Sequence, residues 1–130
     1  NIDMIGRRDT LHPKTNNYVY VIGSDRLSSE LHIIKEEVNA KYTQLELDYK
    51  DNDRKDPERI YFRSDHYNFA KKGIPAIFFF NGIHADYHQS SDTPDKIEYD
   101  ALAKRTQLAF VLAWELANRP DRIKVDRDGK

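Results

Sequence analysis

An aspartate inside an apolar strand is the first chemical signal in this chain. Asp3 stands between Ile2 and Met4, where strand pleating would bury it at least in part. A buried charge is costly unless it meets a partner or a metal. A second concentration of reactive types follows an apolar run, in His84-Ala85-Asp86-Tyr87-His88-Gln89-Ser90-Ser91-Asp92-Thr93. A histidine that ligates a metal usually has its other ring nitrogen fixed by a carboxylate or carbonyl. Asp92, four residues after His88, is a candidate for that role or for fixing the loop. A third group, Ser64-Asp65-His66, opens a short helical pattern, where an acidic residue suits the helix dipole. Tyr61, three residues before Ser64, could point a phenol into a site. Each of these has an ordinary alternative. Asp3 could cap a neighbouring loop, Tyr61 could be packing, and His84 and His88 could be surface histidines, as His12 and His32 are read to be.

The elements that must position these residues follow from apolar periodicity. Asn1–Ile5 reads as a strand and Arg7–Asn17 as a loop. Tyr18–Ile22, rich in β-branched and aromatic residues, reads as a buried strand. Leu27, Leu31, Ile34, Val38 and Tyr42 then recur at helical spacing, with Ser28 or Ser29 as the cap. Glu36-Glu37 falls on the solvated face of that helix. Thr43–Tyr49 alternates like a half-exposed strand, and Lys50–Arg59 is a charge cluster of solvated-loop type. Ser64–Lys72 predicts a two-turn helix capped by Ser64 and ended by Gly73. Ile74–Phe80 predicts a strand, Asn81–Lys96 a loop, and Tyr99–Asn118 a long helix stopped by Pro120. The charged tail from Asp121 is expected to fray. Strands alternating with helices give an α/β layered sheet, with ligands expected beyond the carboxyl ends of its strands. Residues 1–118 read as one domain and 119–130 as a charged tail.

Composition removes several classes. Lys and Arg total 21 and Asp and Glu 22, for a net charge of −1. That balance gives no electrostatic case for a nucleic-acid or anionic-membrane binder. The longest apolar run, Ile74–Phe80, is broken by Pro75 and far too short for a membrane span. The absence of cysteine excludes disulfides, thiolate metal sites and cysteine nucleophiles. No G-x-S-x-G elbow, P-loop, G-x-G-x-x-G or H-E-x-x-H is present. The chain opens inside an apolar strand, without an initiator methionine or leader. It is therefore expected to be an internal or C-terminal piece of something longer.

Three segments together resemble one family. Asn1-Ile2-Asp3-Met4-Ile5-Gly6-Arg7 resembles the N-x-D-M-I-G-R strand of the M28 zinc aminopeptidases. Ser64-Asp65-His66-Tyr67-Asn68-Phe69, continuing to Gly73-Ile74-Pro75-Ala76, resembles that family's S-D-H-x-x-F…G-I-P-A segment. Tyr87-His88-Gln89-Ser90-Ser91-Asp92-Thr93 resembles its Y-H-x-x-x-D-T metal loop. Each motif alone is moderately specific, but the three occur in order and cover residues 1 to about 118.

The resemblance implies a partial mixed β-sheet flanked by helices, the C-terminal half of an α/β/α sandwich. It implies two zinc ions in the parent enzyme, with Asp3 a ligand of one and His88 a ligand of the other. Tyr61 falls where some members place a phenol that stabilises the tetrahedral intermediate. Asp65 and Asp92 match recurrent motif positions that support the site. Met4, Phe80, Ile83 and Tyr87 flank these positions and could line the pocket for the substrate's first side chain, though packing explains Met4 and Phe80 equally well. The implied reaction is metal-assisted hydrolysis of the first peptide bond, with a glutamate as general base. In the family the His-x-Asp motif, the bridging Asp and the Glu-Glu pair lie N-terminal to this stretch, and Glu36-Glu37, which follows Asp3 within an amphipathic helix, is not read as that pair. The chain alone is therefore expected to bind zinc weakly and to be inactive without the missing N-terminal half. The opening strand would lack neighbours on one side, so a homodimer or strand exchange through that edge is expected. Family members favour export to the periplasm or the outside of the cell. Two alternatives are a glutaminyl-cyclase-like enzyme with one zinc and a non-catalytic α/β binding or assembly module.

Overall fold

The computed structural model describes residues 1–129. Its centre is β1, Tyr18–Ile22, in which every residue is buried. The strand has a covered face on each side. Val19 and Val21 pack with Leu31, Ile34, Val38, Phe79, Leu108 and Leu112, beneath helices α1 (Ser29–Val38) and α3 (Tyr99–Ala117). Tyr18, Tyr20 and Ile22 face the other way, toward Leu27, Ile60, Tyr61, Ala70, Phe78 and Phe80. A strand covered on both faces needs apolar residues at every position, which explains the unbroken YVYVI run. β2 (Glu46–Asp48) pairs parallel to β1, and β3 (Phe78–Phe80) pairs antiparallel to it. The result is a small mixed sheet of order β2-β1-β3 with helices packed on it, an α/β fold.

Several elements match their sequence patterns. Ser28 Oγ accepts from Leu31 N–H at 3.1 Å and caps α1. Gly73, at φ 77°, ends α2 (His66–Ala70) in the left-handed conformation that suits glycine. α3 runs as expected to Ala117 and buries Ala101, Leu108 and Leu112.

Others differ for physical reasons. The expected strand Asn1–Ile5 is reduced to one parallel bridge between Ile2 and Phe79. Met4 turns to φ 56° and breaks the extension. α1 does not continue to Tyr42. Residues Asn39–Thr43 wind into a π turn, and Gln44 enters the left-handed region at φ 49°. The buried Asn39 side chain holds this turn by bonding Leu45 N–H, Leu45 C=O and Thr43 Oγ. That turn shortens the expected strand Thr43–Tyr49 to β2. Ser64 does not cap α2, because its hydroxyl is committed to Asp3 at 2.7 Å. The charge cluster Lys50–Arg59 is not wholly solvated: Asp51 is buried, and Asn52 Oδ1 accepts from Gly23 N–H at 2.7 Å. His12 is no surface histidine. It stacks on Tyr18 at 3.6 Å and meets Asp9 and Asp48 at 3.2 Å each. Nor does the tail fray. Asp126 N–H and Gly129 N–H bond to Leu27 and Arg26 carbonyls, and Ile123 packs on the core.

Candidate functional site

The opening segment, Arg63 in the stretch before α2 and the long loop after β3 meet around a cleft of about 630 Å³. Asp3, Met4, Tyr87, His88 and Asp92 all line it. The structure thus brings together five residues singled out from sequence that are up to 89 positions apart (92 − 3). Arg7, Arg63 and His84 join them.

Asp3 is held at the sheet edge through its backbone, whose N–H donates to Phe79 C=O at 3.1 Å. Its carboxylate is half-buried, and Oδ2 accepts from Ser64 Oγ. Ser64 Oγ in turn accepts from Asn1 Nδ2 at 2.9 Å. Asp3 therefore sits in a short polar chain rather than alone in an apolar wall. His88 is exposed, and its ring stacks on Tyr87 at 3.8 Å and 21°. Tight turns shape its loop, with Tyr87 N–H on His84 C=O and Gln89 N–H on Asp86 C=O. Asp92 fixes this loop by pairing with Arg7 at 3.1 Å and approaching His84 Nε2 at 3.8 Å.

Among the described residues, four other than glycine have positive φ: Met4, Gln44, Arg59 and His88. Gln44 and Arg59 border helical turns. Met4 and His88, at 56° and 55°, instead line the cleft. A left-handed residue with a side chain costs about 1 kcal/mol or more, and such strain gathers at functional sites.

The loop is strongly charged. Asp86 receives hydrogen bonds from Lys96 Nζ at 2.8 Å, Ser91 Oγ at 2.6 Å and Arg7 at 2.9 Å. Those donors hold its carboxyl well below the usual range, with Lys96 foremost. His66, the first residue of α2, is almost fully buried and stacked on Phe78 at 4.9 Å. Burial pushes it down to about 4, so its ring is neutral at pH 7.

Other residues singled out from sequence lie elsewhere. Tyr61 is buried under the Arg26 guanidinium, 4.5 Å from its ring centroid, and lines a separate cavity with Arg54 and Phe62. Burial raises its phenol pKa. Phe80 is a core residue of β3, packed against Tyr20 and Phe78. Ile83 is exposed and outside the cleft lining, and Asp65 is exposed at the start of α2 without a capping bond. Sequence reasoning missed Arg7, which fixes the loop, and Arg105, buried inside α3. A signal for Arg105 was present. It falls between Ala101 and Leu108 on the buried stripe of the helix.

The donor chemistry of Asp3 and His88, a carboxylate and an imidazole, suits zinc. Catalytic zinc sites ordinarily take three protein ligands. Among the described residues, no three His, Asp or Glu side chains converge to hold a metal. The described residues do not by themselves complete a zinc site.

No curated protein and no solved structure matches this chain. A family model does: the one described as Peptidase family M28 matches residues 1–113. That span takes in Asp3, the Ser64–Phe69 segment and the whole loop around His88. The chain belongs to peptidase family M28, whose peptidases are generally zinc-dependent.

Proposed function

We propose that this chain is part of a dizinc metallo-aminopeptidase that removes N-terminal residues from peptides. The observation that carries the reading is the convergence of Asp3 and His88 on one cleft, each beside or at a strained left-handed residue. In this reading Asp3 ligates one zinc and His88 the other. The remaining ligands and the general-base glutamate come from segments that these 130 residues do not contain. Met4 and Tyr87 give the cleft an apolar wall for the substrate's first side chain. Asp92 holds the His88 loop and takes no part in the chemistry.

Because its donor set is incomplete, the chain alone is expected to bind zinc weakly and to leave peptides intact. Calorimetric titration of zinc into the chelator-treated chain, beside His88→Ala, tests the first point. Weak heat that disappears in the variant is the expected result. Equal binding by chain and variant would remove His88 from the site. Turnover of an aminoacyl anilide by the pure chain, abolished by chelator, would overturn the claim of inactivity.

A further inference from the structure

His88 rides on a loop that runs from β3 to α3 with only a 3-10 turn, Pro94–Lys96, inside it. Contacts from three consecutive residues tie this loop to the opening segment. Gly6 C=O accepts from Glu98 N–H at 2.9 Å. Arg8 Nε meets Glu98 at 3.3 Å. Arg7 sends its two terminal nitrogens to different carboxylates, Nη2 to Asp86 at 2.9 Å and Nη1 to Asp92 at 3.1 Å. Those carboxylates stand two residues before His88 and four after it. Asp86 and Asp92 also meet Ser91, Lys96 and His84, but these partners belong to the loop itself. Arg7 belongs to the segment that carries Asp3.

The backbone from which Arg7 reaches is itself fixed. Arg105, on α3 and 1 % exposed, donates to the carbonyls of Ile5 at 2.7 Å, Asn16 at 2.6 Å and Tyr18 at 3.0 Å. A longer contact of 3.5 Å reaches the carbonyl of Arg7. The chain of contact thus runs from α3 through Arg105 to the end of the opening segment, then through Arg7 to both flanks of His88.

We propose that Arg7 is a positioning residue that sets His88 relative to Asp3, by bridging Asp86 and Asp92 from a backbone that Arg105 anchors. Its bearing on catalysis rests on the proposed pairing of Asp3 and His88 in one site. The planar guanidinium offers donors in two fixed directions, so it can hold two carboxylates at a set separation. An ammonium carries the same charge without that geometry.

The stack of His88 on Tyr87 supplies a readout that global stability would not move, because the ring current shifts the His88 imidazole proton signals. The test is NMR on the metal-free chain at fixed pH, with the His88 signals assigned by their loss in His88→Ala. Arg7→Gln is expected to move these signals toward unstacked values and to speed amide exchange over residues 86–92 by about tenfold or more. Arg7→Lys should do the same despite its charge. Arg63→Gln, which removes another cation of the cleft, should leave the exchange unchanged. Asp86→Asn combined with Asp92→Asn breaks the clamp from the loop side and should reproduce Arg7→Gln, which covers a failure of that variant to fold. Unchanged His88 signals in a folded Arg7→Gln or in the double variant would overturn the proposal. Full retention of wild-type signals by Arg7→Lys would overturn it too. None of these readouts needs zinc. If the zinc titration fails while these signals behave as expected, the metal reading falls and the clamp stands; the reverse outcome removes the clamp alone.

Discussion

At the scale of single residues, the chain spends stability on groups that water would otherwise charge. His66 is the clearest case. Its folded pKa, about 4, lies below the ordinary value of 6.5 because burial disfavours the imidazolium. The unfolded chain therefore binds the extra proton first as pH falls. The contribution of this group is present above about pH 6.5 and is lost as pH drops toward 4. Between pH 7 and pH 5 the loss should be about 2 kcal/mol. Urea unfolding of wild type and His66→Phe at both pH values checks this. The variant keeps the ring stack on Phe78 and should lose that part of the pH dependence. An equal pH dependence in the two proteins would show that His66 does not carry it. Lys35 is a second such group. It is fully buried beside Glu36 and Tyr49, and burial lowers its pKa. Neither residue was legible as a buried ionisable group. A lysine or histidine in a polar stretch looks the same in sequence whether it faces water or a neighbouring ring.

At the scale of elements, legibility tracked how local the cause was. β1, α1 and α3 were visible because their apolar periods depend on residues within a few positions. Ser28 and Gly73 were visible because caps act within one turn. The π turn at Asn39–Thr43 was not, since it depends on Asn39 folding its amide onto Leu45. The same distinction separates the site residues. Asp3, Met4, Tyr87, His88 and Asp92 line one cleft. Phe80 went into the core because it shares a face with Phe78, and Ile83 went to the surface after the left-handed turn at Gly82. The Arg105 anchor joins α3 to β1 and to the opening segment, and replacing it should be costly. Arg105→Met removes this donor from the Ile5 and Asn16 carbonyls, while the Tyr18 carbonyl keeps Asn81 Nδ2. A loss of about 3 kcal/mol in urea unfolding is expected. Arg105→Lys, with one ammonium for several acceptors, should recover only part of it. A cost below about 1 kcal/mol for Arg105→Met would mean that water or backbone shifts satisfy those carbonyls.

At the scale of the whole molecule, the outer side of the opening segment is an unfinished border. Ile2 pairs inward with Phe79 and is 46 % exposed. Beside it lies a shallow groove lined by Phe79, Ala109, Leu112, Leu116 and Ile123. Apolar sheet edges of this kind invite a further strand. The isolated chain is therefore expected to self-associate, with a light-scattering mass that rises with concentration. Ile2→Lys should return it toward a monomer. A monomeric mass for the wild type at high concentration would exclude this edge as an interface. Among the described residues, no helix is long and apolar enough to cross a membrane.

The docked tail has a consequence for how the chain is made. Ser28 and Ser29 open α1, yet Ser29 N–H donates to Asp126 across 97 residues, at 2.8 Å. Glu30, in the same turn, pairs with Arg119 and accepts from Lys124 N–H, both at 2.9 Å. β1 pairs with β3, some 60 residues further along the chain (78 − 18), and its Tyr18 carbonyl takes a donor from Arg105 further still. Order of synthesis and order of assembly are therefore far apart. Until Ile60, Tyr61, Ala70, Phe78 and Phe80 have emerged from the ribosome, the aromatic face of β1 has no lid. A chain ending before residue 119 would lack the partners of Ser29 and Glu30 and leave the first turn of α1 uncovered for a chaperone to bind.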